Sequence, residues 1–136
     1  METLIMMGRE LHHILLVEDD PDIQEVAQMS LEVLGGFKVD SCSSGVEALE
    51  YVTQVIPDMI LLDFMMPGMD GAETLAALRS IPSLAAVPVV FMTARVRQTE
   101  VEAYGRLGAA GVISKPFDPT ELPGQLRALW VQADVG

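Results

Sequence analysis

The sequence contains one cysteine, one tryptophan and only 5% aromatic residues among its 136 positions. A lone Cys42 excludes an internal disulfide, and its simplest use is to fill space as a small apolar residue. No apolar run approaches the roughly 20 residues needed to span a bilayer. The opening stretch Met1 to Met7 is apolar but brief, and it lacks the basic lead of a signal peptide. The compartment expected for such a chain is the cytoplasm. Positive charge is scarce as well. Eight Lys and Arg stand against twenty Asp and Glu, a formal net charge of −12, and the basic residues are scattered from Arg9 to Arg127. Phosphate backbones and anionic lipid repel such a chain unless a basic patch is gathered on one face. Direct nucleic-acid binding and membrane attachment are therefore not expected, whereas a divalent cation or a basic partner surface is.

What the chain does have is a regular alternation. Half of its residues are apolar, the composition of a globular protein, and apolar runs recur with amphipathic stretches between them. His13 to Val17 reads as a buried strand ending in the acidic run Glu18-Asp19-Asp20. Ile23, Val26, Ala27, Leu31 and Leu34 fall at helical spacing between Asp22 and Leu34, before Gly35-Gly36. Phe37 to Asp40 is a short second strand, and Ser44-Gly45-Val46-Glu47 has the capping-box pattern that opens a helix reaching about Gln54. Met59 to Leu62 is a third strand, followed by a Pro67-Gly68 turn and a helix over about 72–80. Val87 to Met92 is the fourth strand, Val96 to Leu107 the fourth helix, Val112 to Ser114 the fifth strand and Leu122 to Val131 the fifth helix. Pro123 is tolerable in that helix if Thr120 caps it, because amides of the first turn have no intrahelical partner. His12 and His13 read as residues at the start of the first strand. Strands and helices alternating at this pitch predict a single α/β domain, a parallel sheet covered on both faces by right-handed crossovers. The boundaries expected are an N-terminal extension at 1–11, the domain at 12–131 and a C-terminal tail at 132–136.

In an open sheet of this kind ligands bind at the carboxyl ends of the strands, near the point where strand order reverses. That rule selects Glu18-Asp19-Asp20 after the first strand, Asp63 after the third, Thr93 after the fourth and Lys115 after the fifth. Singly, each has an ordinary explanation as a solvated loop, a helix start, a strand end or a surface charge. As a set they make a site. Asp63 directly follows four apolar residues, so its carboxylate lies at the rim of a buried sheet. Close to Asp19 it would raise at least one carboxylate pKa, and a hard divalent cation resolves that conflict. Mg²⁺ takes one or two carboxylates and completes its shell with water and phosphate oxygens. Phosphoryl transfer depends mainly on positioning and electrostatics. Glu18 and Asp19 would serve the metal, Asp63 would be the nucleophile, Lys115 the counter-charge on one oxygen, and Thr93 a hydroxyl for a newly arrived phosphoryl group.

These residues resemble the receiver domains of bacterial two-component response regulators. The resemblance rests on five ordered segments: Ile14-Leu15-Leu16-Val17-Glu18-Asp19-Asp20-Pro21, Leu61 to Gly71 around Asp63, Met92-Thr93-Ala94, Gly108-Ala109 and Lys115-Pro116-Phe117. It covers about residues 12–131. It implies a flavodoxin-like, doubly wound (βα)5 fold with a five-stranded parallel sheet in the order 2-1-3-4-5 and a cis bond before Pro116. By the same resemblance Asp63 is the phosphoacceptor, and Glu18, Asp19, Asp63 and the backbone carbonyl of Met65 hold Mg²⁺, with Thr93 and Lys115 completing the site. A sensor histidine kinase or phosphotransfer domain would donate the phosphoryl group. The protein would be a phosphoacceptor switch that assists its own phosphorylation and dephosphorylation, not an enzyme acting on a substrate. Its output partner is unspecified. A homodimer through the fourth helix, fifth strand and fifth helix is the oligomer that the switching surface would allow. Where such domains commonly carry an aromatic residue on the fifth strand, this chain has Val112, so coupling from Thr93 to the far face takes another form. Met65 and Arg95 flank the site and are the side chains expected to set the lifetime of the phosphorylated state.

Two other readings share some of these residues. An aspartate-nucleophile phosphatase of the haloacid-dehalogenase type also uses Asp, Mg²⁺, Thr and Lys, but places a second Asp two residues after the nucleophile, where this chain has Met65. A pseudo-receiver would use the fold only as an interaction surface.

Overall fold

The computed structural model describes residues 9–135, so most of the expected 1–11 extension lies outside the described residues. Its first element, β1, is His13–Val17, with all five residues buried, as a continuous apolar run in a two-sided sheet requires. Helix α1 spans Pro21–Met29 and is prolonged by one turn of π-helix over Ser30–Leu34. Strand β2 (Lys38–Cys42), helix α2 (Gly45–Tyr51), strand β3 (Met59–Asp63) and helix α3 (Gly71–Arg79) follow. A short 3₁₀ turn at Pro82–Leu84 leads into β4 (Val89–Thr93), then α4 (Gln98–Arg106), β5 (Gly111–Ser114) and α5 (Leu122–Val135). All neighbouring strands run parallel, in the expected order 2-1-3-4-5. Among the described residues no helix is long and apolar enough to cross a membrane.

Successive strand residues point to opposite faces, and each face has its own core. On one, Ile14, Leu16, Met59, Leu61, Val90 and Met92 pack under Ala27 and Leu31 of α1 and Leu122, Leu126 and Trp130 of α5. On the other, Leu15, Val17, Ile60, Leu62 and Phe91 pack under Ala48 of α2, Leu75 and Leu78 of α3, and Tyr104 of α4. Each fully buried Leu or Ile contributes roughly 1.5–3 kcal/mol by leaving water. The sheet is thereby a rigid platform, and its carboxyl edge is held in place from both sides.

The details depart from the sequence reading where side chains override periodicity. The first helix is not α-helical throughout. The Gly35 amide reaches back to the Ser30 carbonyl, while the Ser30 hydroxyl leaves the helix to donate to the Pro119 carbonyl at 2.5 Å. Thr120 is not the cap of the last helix: the Asp118 carboxylate accepts from both the Thr120 amide and its hydroxyl. Pro123 still falls within the first turn, where its missing N–H costs nothing. The helix continues to Val135, beyond the expected end at Val131, since nothing in Gln132-Ala133-Asp134 breaks it. At the other end Arg9 lends its carbonyl to the Trp130 indole N–H, and Leu11 is buried in the α1/α5 core.

Candidate functional site

Of the four strand ends named from the sequence, those of β1, β3 and β5 bring their side chains together, and Thr93 ends the strand between β3 and β5. Glu18 follows β1 and is completely buried. Its Oε2 accepts the Asp20 amide at 3.0 Å, and Asp20 turns its own carboxylate to the Asp22 and Ile23 amides as the cap of α1. That leaves Asp19, which is exposed, to face the site with Glu18 and Asp63. One carboxylate oxygen from each of these three lies within 4.8 Å of the others. Three acids so close repel one another, and an oxygen-rich, acidic pocket is the donor set of a hard divalent cation. The residues fit that metal.

Asp63 ends β3 and is 2% exposed. Its Oδ1 accepts the Met65 amide at 3.2 Å and lies 3.2 Å from the Lys115 Nζ. The same ammonium lies 2.7 Å from Glu18 Oε1, so Lys115 bridges the two buried carboxylates. Burial is the main reason that the Asp63 carboxyl is pushed up to about 7; the Glu18 carboxylate adds to the shift and Lys115 opposes it. For Lys115, burial pulls the ammonium down, yet the hydrogen bond to Glu18 and the two negative charges outweigh it and hold the group above its ordinary value. Lys115 reaches the site from a loop anchored by its own amide on the Thr93 carbonyl and turned by the cis bond to Pro116.

Thr93, buried at the end of β4, accepts the Arg95 amide on Oγ1 at 3.1 Å. Met65 is 63% exposed and Arg95 is also exposed, so both flank the site without filling it. Two contributors escaped the sequence reading. Gln24 donates its side-chain amide to the Glu18 and Cys42 carbonyls, tying the acidic loop to β2. The signal was available: a helical side chain leans toward the N-terminus, which aims Gln24 at the acidic loop. The second is Tyr104, whose hydroxyl donates to the Arg95 carbonyl at 3.0 Å. Away from the site, His13 does more than start a strand. Its Nε2 lies 3.1 Å from Asp40 Oδ2 and 3.0 Å from the Tyr51 hydroxyl, which also bonds Asp40.

A family model described as the response regulator receiver domain matches residues 14–127. The chain is a response regulator receiver domain. This receiver domain is 39% identical over 117 residues to response regulator Rre1 of Synechocystis, covering 85% of this chain and 50% of that protein. It is 38% identical over 117 residues to the transcriptional regulatory protein CseB of Streptomyces coelicolor, covering 86% and 48%. It thus spans about half the length of these curated relatives. Among solved structures, chemotaxis protein CheY4 of Vibrio cholerae superposes with a TM-score of 0.81 at 27% identity, covering 88% of this chain and 98% of that one. A sensor protein from Polaromonas gives 0.80 at 30% identity, covering 90% and 98%.

Proposed function

We propose that Asp63 accepts a phosphoryl group in a Mg²⁺-dependent reaction and that the modified domain acts as a conformational switch. One observation carries the reading: three carboxylates and an ammonium meet at the carboxyl edge of the sheet, with Asp63 buried at their centre. Glu18, Asp19, Asp63 and the Met65 carbonyl would hold the metal, which when bound neutralises charge on the reacting oxygens. The chain's own groups do the rest. One Asp63 oxygen attacks phosphorus, the P–N bond to a donor phosphohistidine breaks, and the electron pair leaves with the imidazole, which takes up a proton. Lys115 exchanges its contact with Asp63 Oδ1 for one with a phosphoryl oxygen, and the Thr93 hydroxyl donates to another. The aspartyl phosphate then yields its phosphoryl group to water, at a rate that Met65 and Arg95 modulate by controlling access. The donor is a sensor histidine kinase or a phosphotransfer domain. The output acts through α4, β5 and α5, on a partner or on a second copy of the domain.

The arrangement favours this over the phosphatase reading, because the position two residues after Asp63 carries the thioether of Met65 instead of a second carboxylate. Intact mass recorded after incubation with Mg²⁺ and a small acyl phosphate tests the proposal. One added phosphoryl group is expected, absent in Asp63→Asn and after chelation. No adduct under any condition would leave the domain a pseudo-receiver, and multiple turnover of phosphate esters would make it a phosphatase.

A further inference from the structure

Val112 occupies the β5 position where receiver domains commonly carry an aromatic residue, and in register it sits beside Phe91 of β4. An aromatic ring does occupy this region, but it arrives from α4. Tyr104 is 4% exposed, and its ring centroid lies 4.8 Å from Phe64 and 5.6 Å from Phe91. Phe64 is the residue after the proposed phosphoacceptor, and Val112 is partly buried against the same cluster. Tyr104 is also the one buried residue of α4. The helix is therefore anchored on the sheet through a single buried side chain, leaving Val101 exposed along it and Val96 and Leu107 exposed beside its ends.

The polar end of that side chain matters as much as its ring. The Arg95 backbone is held on both sides of its Cα: the amide donates to the Thr93 hydroxyl at 3.1 Å, and the carbonyl accepts from the Tyr104 hydroxyl at 3.0 Å. One residue's backbone thus joins the site's hydroxyl to the anchor of α4. We propose that Tyr104 is the positioning residue through which this domain reads Thr93, a hydroxyl latch on α4 in place of an aromatic residue on β5. This rests on the reading that Thr93 turns toward a phosphoryl group on Asp63. When it turns, the Arg95 amide loses its acceptor, the backbone on both sides of the Arg95 Cα shifts, and the Tyr104 hydroxyl loses the carbonyl that held it. The helix then loosens from the sheet while the ring stays packed among Phe64 and Phe91.

Tyr104→Phe removes the hydroxyl and keeps the ring, so the core survives. Amide hydrogen exchange across residues 94–107 is measured in wild type and Y104F, with and without Mg²⁺ and acyl phosphate, while intact mass reports Asp63 phosphorylation in the same samples. In wild type, phosphorylation should speed exchange in this segment by roughly three- to tenfold, the scale of one lost hydrogen bond. Unmodified Y104F should already exchange at the faster rate, and phosphorylation, taken up to the same extent, should change it less than twofold. A hydroxyl with a purely structural role would speed both states equally and leave the phosphorylation-dependent ratio intact, which would overturn the latch. Unchanged exchange in unmodified Y104F would overturn it too. If wild type takes up no phosphoryl group, the mass readout places the failure in the underlying reading of Asp63, and the latch falls with it.

Discussion

Glu18 and Asp63 are acids that the fold has taken out of water, and a single lysine stands between them. Burying an ion costs several kcal/mol unless pairing returns it, and one ammonium shared by two carboxylates returns only part. Asp63→Asn keeps the shape and removes one charge, leaving Lys115 its 2.7 Å contact with Glu18. The variant should therefore be more stable than wild type in chelator at pH 8, by roughly 1–3 kcal/mol, in urea unfolding followed by circular dichroism. Asp40 works in the other direction. The Tyr51 hydroxyl bond, opposed by burial and assisted by His13 and Lys38, holds its carboxyl below the usual value of 3.8. A carboxyl depressed in the folded state adds stability that is present above the unfolded-state value and fades as pH falls through the folded one. The stability gap between wild type and Asp40→Asn should thus be constant near neutrality and close below about pH 4. A gap unchanged down to pH 2.5 would show that the carboxylate contributes nothing.

At the scale of elements, the loop after β3 is seated against the start of α3. A Cβ placed on Gly71 would lie 2.6 Å from the Phe64 Cα and 2.8 Å from the Asp63 carbonyl, so only glycine allows the backbone this close. Gly71→Ala should cost about 1–3 kcal/mol in thermal unfolding and slow the proposed phosphorylation of Asp63, because the shift is forced on that residue's own peptide. Normal uptake with normal stability would show that the loop has slack. Such close approaches explain what the sequence disclosed and what it withheld. Strands β1 and β3 were legible because buried two-sided strands are continuous apolar runs, and the residues that follow them announced Glu18, Asp19 and Asp63. Lys115 and Thr93 were legible through topology, which sends every parallel strand's carboxyl end to one edge. The Asp118–Thr120 turn, the π turn after Met29 and the His13–Asp40–Tyr51 cluster were not, since each depends on which side chain wins a backbone or buried partner after folding. Tyr104 was hidden for the same reason. Its helix is exposed or half-buried at every other position, and no local pattern says that one ring enters the core.

For the molecule as a whole, the proposed metal binding would be linked to stability. A cation held only by the folded site stabilises the entire domain by RT ln(1 + [L]/Kd), about 1.4 kcal/mol at tenfold excess over Kd. Mg²⁺ should raise the Tm of wild type while leaving Asp19→Asn nearly unmoved, once enough NaCl is present to screen the net charge of −12. An equal rise in the variant would assign the effect to the whole acidic surface. The two ends of the described chain also meet. Trp130, the one tryptophan of the sequence, is 4% exposed, its indole N–H is held by the Arg9 carbonyl, and the Arg9 guanidinium lies 5.1 Å above its ring. Excited selectively over Tyr51 and Tyr104, the fluorescence of this domain comes from one buried indole, held between segments 121 residues apart in the chain and packed on the α1/α5 face. Its emission should change if Arg9 parts from α5, giving a built-in optical gauge of whether that contact is made.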